Sequence, residues 1–238
     1  MNKEEICKHK NFVLRDKILE DVWVIIPAYN EENYIKGVIE KAKKYTKHIV
    51  VVDDGSKDST KSIAEDEGVI TLSHIVNLGK GSALKTGCDY VIKKLAEKII
   101  VLDADAQHNP EDIPRFAEKL KKYDIVFSYR KLSSRMPLVL RFGNLFISRI
   151  VRLLYDVSLK DTQCGFRAFS KEAYKKIEWN ASDYSMESEM ISKAGKQKLK
   201  YVQIPIQTVY SDKYKGTTVI DGIKIVLNMF WWRLFGSK

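Results

Sequence analysis

Hydrophobic and polar positions along the first two thirds of the chain follow two different periods. Short, continuous apolar runs predict buried strands at residues 22–26, 49–52, 99–102 and 125–128. Between them, apolar residues spaced three or four apart predict helices at 31–44, 58–67, 82–97 and 110–122. Continuous apolar strands that alternate with helices are typical of a mostly parallel sheet flanked by helices. An α/β fold is therefore expected.

The last third of the chain has a less regular pattern. Helices are predicted at 136–155, 172–177, 185–194 and 217–235, and extended segments at 165–170, 199–204 and 206–210. No internal repeat or low-complexity linker separates these segments. We therefore predict one domain at 22–210, with an N-terminal extension at 1–21 and a C-terminal amphipathic helix within 211–238.

Composition and cysteine usage narrow the class of protein. The 238 residues are 45% hydrophobic and 30% charged, which is typical of a folded domain. Cys7, Cys88 and Cys164 lie far apart, so neither a disulfide framework nor a zinc site is indicated, and reduced thiols in a cytoplasmic protein are expected. The N-terminus is polar and charged, so no signal peptide is expected. No apolar run reaches about 18 residues, so no membrane-spanning helix is expected.

Positive charge is concentrated in one part of the chain. The formal net charge is +10, and residues 119–160 contain ten Lys or Arg but only two acids, Asp124 and Asp156. A basic field of this kind suits nucleic acid, anionic lipid or a phosphorylated substrate.

Polar residues follow the predicted strands, where ligands of parallel sheets bind. The first strand leads into Pro27-Ala28-Tyr29-Asn30-Glu31, whose aromatic ring and carboxylate could hold a base and a ribose. Alternatively, this segment is a simple turn with Asn30 as the helix N-cap. The second strand ends in Asp53-Asp54-Gly55-Ser56, which is either a nucleotide contact or a capping turn. Gly79-Lys80-Gly81 precedes a helix, where glycines allow close approach to a phosphate.

The pair Asp103 and Asp105 carries the strongest chemical signal in the sequence. Two carboxylates two residues apart, beyond a buried strand, repel each other unless a cation lies between them. Oxygen ligands of this type suit Mg²⁺ or Mn²⁺, and Gln107 could add another ligand. A metal here would neutralise a leaving diphosphate. His108 is predicted to support the site or cap a helix rather than to bind the metal.

Taken together, segments 27–31, 53–56, 79–81 and 103–107 resemble glycosyltransferase family 2 in order and spacing. The resemblance extends over about residues 22–210 and implies a GT-A fold. Within the family, the chain is similar to the dolichyl-phosphate mannosyltransferases and their polyprenyl-phosphate relatives. This similarity implies an inverting hexosyltransferase that uses GDP-mannose, or next UDP-glucose, as donor and a polyprenyl phosphate as acceptor.

The resemblance also implies roles for residues on the donor side. Asp103, Asp105 and Gln107 would bind the divalent metal and the donor diphosphate, with Asp105 essential for catalysis. The residues that would hold the nucleotide-sugar are Pro27, Tyr29, Glu31, Asp54, Lys80 and Asp103.

On the acceptor side, the resemblance implies that Arg130 binds the lipid phosphate, with Arg141 as the second arginine. Residues 161–167 match the acceptor-side motif of the family. Glu187 and Glu189 either orient the sugar or act as a base, or they lie on an exposed helix face.

Two amphipathic helices fit a lipid acceptor. The helices predicted at 136–155 and 217–235 combine apolar surface with basic residues, and Trp231 and Trp232 precede Arg233. Such helices are typical of peripheral membrane attachment, here expected at the cytoplasmic face. Alternatively, both helices pack on the sheet or on a partner subunit. The oligomeric state is open.

Three other functions fit parts of the sequence. The first is the same fold with a soluble glycan acceptor, which would require a carboxylate base. The second is a non-enzymatic nucleic-acid-binding protein, which leaves the acids at three strand ends unexplained, so nucleic acid is not expected as a partner. The third is a nucleotidylyltransferase, which the lack of an early glycine-rich nucleotide loop disfavours.

Overall fold

The computed structural model describes residues 18–130, 138–208 and 219–235, and at 138–142 and 219–221 it describes the backbone alone. Seven strands form one sheet in the order β3-β2-β1-β4-β6-β5-β7. The strands are β1 (Val22–Ala28), β2 (His48–Asp53), β3 (Ile70–Ser73), β4 (Lys98–Val101), β5 (Ile125–Arg130), β6 (Arg167–Ser170) and β7 (Tyr201–Ile206). The helices are α1 (Ile35–Ala42), α2 (Thr60–Asp66), α3 (Lys80–Lys93), α4 (Ile113–Lys119), α5 (Leu138–Tyr155), α6 (Lys171–Ile177), α7 (Met186–Lys196) and α8 (Val219–Phe235).

The central strands are buried on both faces, as their continuous apolar runs predict. In β1, Ile25 belongs to the hydrophobic cluster that includes α3. Val24 and Ile26 point to the opposite face and join the cluster that includes α1 and α4. Over the described residues, both faces of the sheet are thus covered, and the ends of its strands stay open to a ligand.

Strand β6 is the exception in a mostly parallel sheet. It lies between β4 and β5 and runs antiparallel to both, with Arg167 opposite Val101 of β4 and Phe127 of β5. Because β6 runs in the opposite direction, the residues that precede it lie at the same edge as the carboxyl ends of β4 and β5. The segment 161–166 is thereby brought beside the Asp103–Asp105 pair. The predicted α/β class is confirmed, and the reversal of one strand determines the site.

Several element boundaries differ from the prediction. Strand β3 was not predicted, because it has only four residues, sits at the sheet edge and contains the polar Thr71 and Ser73. The helix expected from residue 31 begins at Ile35, since the chain first turns at Asn30, whose φ is 54°. Asn30 is therefore not the N-cap of α1.

Two prolines lie inside strands. The strand predicted at 22–26 was expected to end before Pro27, and Pro205 was expected to separate two extended segments. Pro27 pairs with Val52 of β2, but the ladder to β4 already ends at Ile25. Pro205 belongs to β7, an edge strand, so the two extended segments predicted around it form one strand. In both places the missing proline N–H leaves no gap in a two-sided ladder. Residues 136–137, 209–210 and 217–218 of the predicted segments lie outside the described residues.

Helices α5 and α8 pack against each other and against α7. Ile147 and Val151 of α5 and Ile225 and Met229 of α8 are buried in the core. The hydroxyl of Tyr155 donates a hydrogen bond to the Met229 carbonyl at 2.5 Å, and burial raises the pKa of Tyr155 to about 12. One side of each helix therefore packs on the protein. Over the described residues, no helix has both the length and the apolar character needed to cross a membrane.

Candidate functional site

A cavity of about 540 Å³ opens at the carboxyl edge of the sheet. It is lined by Pro27, Ala28, Tyr29, Asn30, Glu31, Asp54, Asn77, Gly79, Lys80, Ala83, Asp103, Ala104, Asp105, Asp183 and Tyr184. The structure thus brings together residues from all four segments that the sequence analysis singled out. Asp183 and Tyr184 were not predicted, because they come from a loop more than 70 residues further along the chain.

The loops that follow β1 and β2 are tied together by side chains. The backbone N–H of Asn30 donates to Ser56 Oγ at 2.9 Å, and the Asn30 side-chain oxygen accepts from the Lys57 N–H at 2.9 Å. The N–H of Glu31 donates to Thr60 Oγ1 at 2.7 Å. These bonds fix the Tyr29–Glu31 wall of the cavity, and they explain why asparagine occupies the left-handed conformation there.

The two neighbouring carboxylates after β2 have different surroundings. Asp53 Oδ1 accepts the Ser56 N–H at 3.3 Å and shapes the turn. Asp54 accepts the N–H groups of Leu78 and Gly79 at 3.0 and 2.8 Å, and His74 Nδ1 lies 2.7 Å from its Oδ1. Asp54 therefore holds the loop before α3 in place while lining the cavity. His74, which follows the unpredicted strand β3, was not predicted as a site residue.

Asp103 and Asp105 differ in charge balance although they are two residues apart. Lys80 Nζ lies 2.8 Å from Asp103 Oδ1. Burial alone would raise the pKa of Asp103, but Lys80 and His108 hold it below its usual value. Burial and the neighbouring Asp103 charge raise the pKa of Asp105 above its usual value. A second negative charge is thus unfavourable here unless a cation accompanies it.

This pair suits a divalent metal that is bound together with the donor. In the described part of the chain, no three His, Cys, Asp or Glu side chains come together that could hold a metal by themselves. Mg²⁺ is commonly bound through one or two carboxylates plus substrate phosphates and water, which two carboxylates at a cavity wall would allow. The Gln107 N–H donates to Asp105 Oδ1 at 3.0 Å and orients that carboxylate. A metal bond from the Gln107 side chain stays a prediction.

The glycines around Lys80 allow close approach to another part of the protein. A Cβ at Gly79 or at Gly81 would collide with backbone atoms of Ala181 and Ser182, and Gly79 has φ 95°. The Gly81 N–H donates to the Ser182 carbonyl at 2.7 Å. These glycines were predicted to allow close approach of a phosphate, whereas the structure shows that they allow backbone packing against residues 181–182. This packing positions Asp183 and Tyr184 at the cavity.

The two glutamates of α7 are buried, so the alternative of an exposed helix face is wrong. Glu187 is 3% exposed, and its Oε1 lies 3.1 Å from Lys80 Nζ. Burial opposes the charge of Lys80, but Asp103 and Glu187 raise its pKa above the usual value. Glu189 is 1% exposed and accepts the N–H groups of Asn180 and Ala181, both at 3.0 Å. Glu189 therefore supports the 180–184 loop, while Glu187 lies behind the cavity wall in contact with Lys80.

Arg130, at the end of β5, forms a double hydrogen bond with Asp161. The distances are 2.7 Å from Nε to Oδ2 and 3.1 Å from Nη2 to Oδ1. Burial would raise the pKa of Asp161, but Arg130 lowers it below its usual value. Asn144 of α5 accepts the N–H of the neighbouring Thr162 at 3.2 Å, which ties α5 to the same loop. The side chain of Arg141 lies outside the described residues, so its role stays a prediction.

Arg167 organises the loop between Asp161 and β6 from within the core. Its side chain is 2% exposed. The guanidinium donates to the carbonyls of Thr162 at 2.6 Å, Cys164 at 2.9 Å and Glu187 at 3.0 Å. One buried arginine thus joins the acceptor-side segment to helix α7. Cys164 itself lies 3.7 Å from His108 Nε2, and burial raises the pKa of this thiol to about 12.

Gly165 lies directly against the donor-side charges. A Cβ at this position would collide with Asp103 Oδ2 and come within 2.8 Å of Lys80 Nζ.

The Gly165→Ala variant is expected to displace these side chains and weaken nucleotide binding about tenfold or more, while the protein stays folded. Calorimetric titration with UDP or GDP, beside a thermal unfolding curve, would check this. The exposed Gly143, whose Cβ would meet no atom within 4 Å, offers the control Gly143→Ala. Equal affinity in both variants would contradict the assignment.

Comparison with known proteins agrees with this geometry. Residues 23–178 match the family described as Glycosyl transferase family 2. The chain is 38% identical to an uncharacterized protein of Methanocaldococcus jannaschii, over 97% of this chain and all of that one. It is 34% identical to the UDP-N-acetylglucosamine–dolichyl-phosphate N-acetylglucosaminyltransferase of Methanococcus voltae, over 86% of this chain and 92% of the relative.

A solved structure is similar in fold at low sequence identity. It is glucosyl-3-phosphoglycerate synthase from Mycobacterium tuberculosis in complex with Mn²⁺, uridine-diphosphate and phosphoglyceric acid. The TM-score is 0.71 at 18% identity, covering 95% of this chain and 82% of that one. The GT-A fold expected from the sequence is therefore confirmed. Together with the matched segment, which covers most of the sheet and the donor side of the cavity, these similarities show that the chain belongs to glycosyltransferase family 2.

Proposed function

We propose that this protein transfers a hexose from a nucleotide-sugar to a polyprenyl phosphate, with inversion at the anomeric carbon. The main support for the proposal is that the residues expected to bind the donor and the acceptor lie at the same edge of the sheet. Asp103 and Asp105 line a cavity large enough for a nucleotide, and Arg130 ends the nearby strand β5. The Methanococcus voltae relative, whose name gives dolichyl phosphate as acceptor, supports the same acceptor class. GDP-mannose, with UDP-glucose next, remains the donor that the sequence predicts. The name of that relative adds UDP-N-acetylglucosamine, the donor of an N-acetylhexosamine, as a further candidate.

The donor side would neutralise the leaving group. A divalent cation held by Asp103 and Asp105 would neutralise charge on the donor diphosphate. Lys80, kept protonated by its carboxylate neighbours, adds a fixed positive charge at the cavity wall. Tyr29 and Glu31 line the cavity on the β1 side and would contact the nucleoside. Positive charge fixed before the reaction stabilises the transition state without reorganisation.

The acceptor side would supply an anion that is already a nucleophile. A phosphate monoester is ionised at neutral pH, so attack on the anomeric carbon needs no strong general base. Arg130 is preorganised by Asp161 and would orient the phosphate oxygen. Glu187, beside Lys80, is the carboxylate we assign to orienting the sugar. The rival acceptor, a glycan hydroxyl, would instead require Glu187 as a base.

We infer that the protein attaches peripherally to a lipid surface through α5 and α8. Their outer sides expose large apolar residues: Leu145, Phe146, Leu153, Ile223, Leu227, Phe230, Trp231, Leu234 and Phe235. Arg149, Arg152 and Arg233 are exposed on the same two helices. Apolar surface combined with cationic groups is typical of helices that bind anionic membranes. The side of the membrane stays a prediction.

Sedimentation with vesicles tests the lipid surface. The wild-type protein should bind vesicles that contain phosphatidylserine more strongly than neutral ones. The double variant Leu227→Asp/Trp231→Asp should bind weakly to both. An exposed pair elsewhere, changed as Ile75→Asp/Leu95→Asp, is the matched control. If the two double variants bind alike, α8 is not the attachment site.

A transfer assay tests the reaction itself. The protein would be mixed with Mg²⁺ or Mn²⁺, a short polyprenyl phosphate, and labelled GDP-mannose, UDP-glucose or UDP-N-acetylglucosamine in parallel. Label that moves into the organic phase from one donor would establish the reaction and identify the sugar. Transfer to a soluble glycan, or donor hydrolysis without lipid product, would keep the donor site and contradict the acceptor.

The acceptor role of Arg130 predicts a selective kinetic effect. Arg130→Lys keeps the positive charge but cannot form the pair of parallel hydrogen bonds to Asp161. It is expected to raise the KM for polyprenyl phosphate about tenfold or more. The KM for the nucleotide-sugar should change far less. Steady-state kinetics in both substrates would measure this. The control is Arg115→Lys on α4, whose guanidinium also pairs with a carboxylate, that of Asp112, but does not line the cavity. Equal effects on both KM values would contradict the assignment.

A further inference from the structure

A histidine that the proposed mechanism does not use lies behind the donor cavity. His74 directly follows β3, and its side chain is 11% exposed. Its Nδ1 lies 2.7 Å from Asp54 Oδ1, and its Nε2 lies 3.0 Å from Thr86 Oγ1 on α3. The ring therefore connects a helix on one face of the sheet with a carboxylate at the cavity wall.

The hydrogen bonds of Asp54 limit what its carboxylate can still accept. Oδ1 accepts from His74 and from the Leu78 N–H, and Oδ2 accepts from the Gly79 N–H. A carboxylate offers about four acceptor positions, two on each oxygen. Among the described contacts, one position on Oδ2 remains, and Asp54 lines the cavity. This position suits an N–H or O–H donor from a ligand, such as the imide of a base or a ribose hydroxyl.

The direction of the hydrogen bonds is set by chemistry. An ionised carboxylate only accepts, so His74 Nδ1 must carry the hydrogen. In the neutral ring, Nε2 then accepts from the Thr86 hydroxyl, which fixes both the tautomer and the ring plane. The ring thereby holds Asp54 toward the N–H groups of Leu78 and Gly79. The Thr86–His74–Asp54 series is therefore connected at every step.

We propose that His74 is a positioning residue for the nucleotide donor. It holds Asp54 so that the remaining position on Oδ2 faces the nucleoside, and it keeps residues 77–79 in place beside the diphosphate. The inference rests on the proposed function, because it requires that the cavity binds a nucleotide. It adds a residue in the strand-to-loop connection after β3 that determines how firmly the donor is held.

Two substitutions at one position separate positioning from folding. In His74→Asn, the amide nitrogen takes the place of Nδ1 and can still donate to Asp54. In His74→Phe, a ring of similar size cannot donate. Equilibrium binding of UDP and of GDP with Mg²⁺ would be measured by calorimetry, with donor KM and kcat where turnover is detected. We expect His74→Phe to weaken nucleotide binding about 10- to 100-fold, because Asp54 without His74 would no longer hold its carboxylate oxygen toward the nucleoside and would lose that hydrogen bond.

The same experiment distinguishes the alternatives. His74→Asn should bind within about threefold of the wild type, because it keeps the bond to Asp54. His48→Ala is the control, since that ring stacks on Trp23 at the opposite end of β2 from the cavity. A His74→Phe variant that only unfolds at lower temperature and binds normally would overturn the inference, as would equal weakness of both His74 variants. If the wild type binds neither nucleotide, the donor site itself is wrong, and the inference fails with it.

Discussion

The Asp105→Asn variant is expected to lose sugar transfer by about 10²- to 10³-fold while becoming more stable in the absence of metal. Asparagine keeps the size of the side chain but removes the charge that would share a cation with the donor diphosphate. Burial and Asp103 raise the pKa of Asp105 in the folded protein, so its ionisation at neutral pH disfavours the folded state. Removing this charge should therefore raise the midpoint of thermal unfolding. Reduced activity together with increased stability distinguishes a functional residue from a structural one.

Metal binding by the Asp105→Asn variant can be measured separately from sugar transfer. Mn²⁺ binding in the presence of UDP or GDP, followed by electron paramagnetic resonance, gives a result that does not depend on turnover. Asp66→Asn, at an exposed position in α2, is the matched control and should leave activity and metal affinity unchanged. If Asp105→Asn binds Mn²⁺ as the wild type does and keeps more than about a tenth of the activity, the metal assignment is wrong.

The Arg167→Met variant is expected to lose about 3–5 kcal/mol of unfolding free energy. Methionine fills part of the same volume, but the carbonyls of Thr162, Cys164 and Glu187 would lose their buried donor. A buried carbonyl without a partner costs about 1–3 kcal/mol, and Arg167 is 2% exposed. Urea unfolding at neutral pH, analysed by linear extrapolation, measures the change.

Arg167→Lys and Arg152→Met complete the test of the buried arginine. Lysine keeps the charge but lacks the planar fork that reaches three carbonyls, so an intermediate loss is expected. Arg152 is exposed on α5, and Arg152→Met should change the unfolding free energy by less than about 0.5 kcal/mol. A loss below about 1 kcal/mol in Arg167→Met would show that the loop is held by other contacts.

The parts of the fold that sequence predicted well are those with local causes. Strands β1, β2, β4 and β5 are continuous apolar runs, and such runs are buried wherever the sheet forms. The segments 27–31, 53–56, 79–81 and 103–107 follow strands or precede a helix, so chain direction alone predicted that they meet at one edge. Strand β3 was not predicted because three half-buried residues and one exposed residue, with alternating polar side chains, carry little periodic signal.

Residue roles were predicted less well where a partner comes from far along the chain. The sequence shows Arg130 and Asp161 as separate charges, and only the fold makes them a double hydrogen bond. Glu189 lies two residues after Glu187 and was predicted with it as a site residue. In the structure its carboxylate accepts the backbone N–H groups of Asn180 and Ala181. The glycines at 79 and 81 suggested phosphate contact, whereas backbone packing against Ser182 requires them. These outcomes depend on contacts that no local pattern encodes.

Local hydrophobic period was enough to predict the α/β class, and the order and spacing of four short segments were enough to show the resemblance to the family. How the two halves of the site meet depends on the tertiary structure. Strand β6 enters antiparallel between β4 and β5, and this reversal brings Gly165 against Asp103 and Lys80. Strand pairing is determined by the free energy of the whole sheet and its covering helices. The direction of β6, and with it the joining of donor and acceptor sides, therefore became visible only in the folded protein.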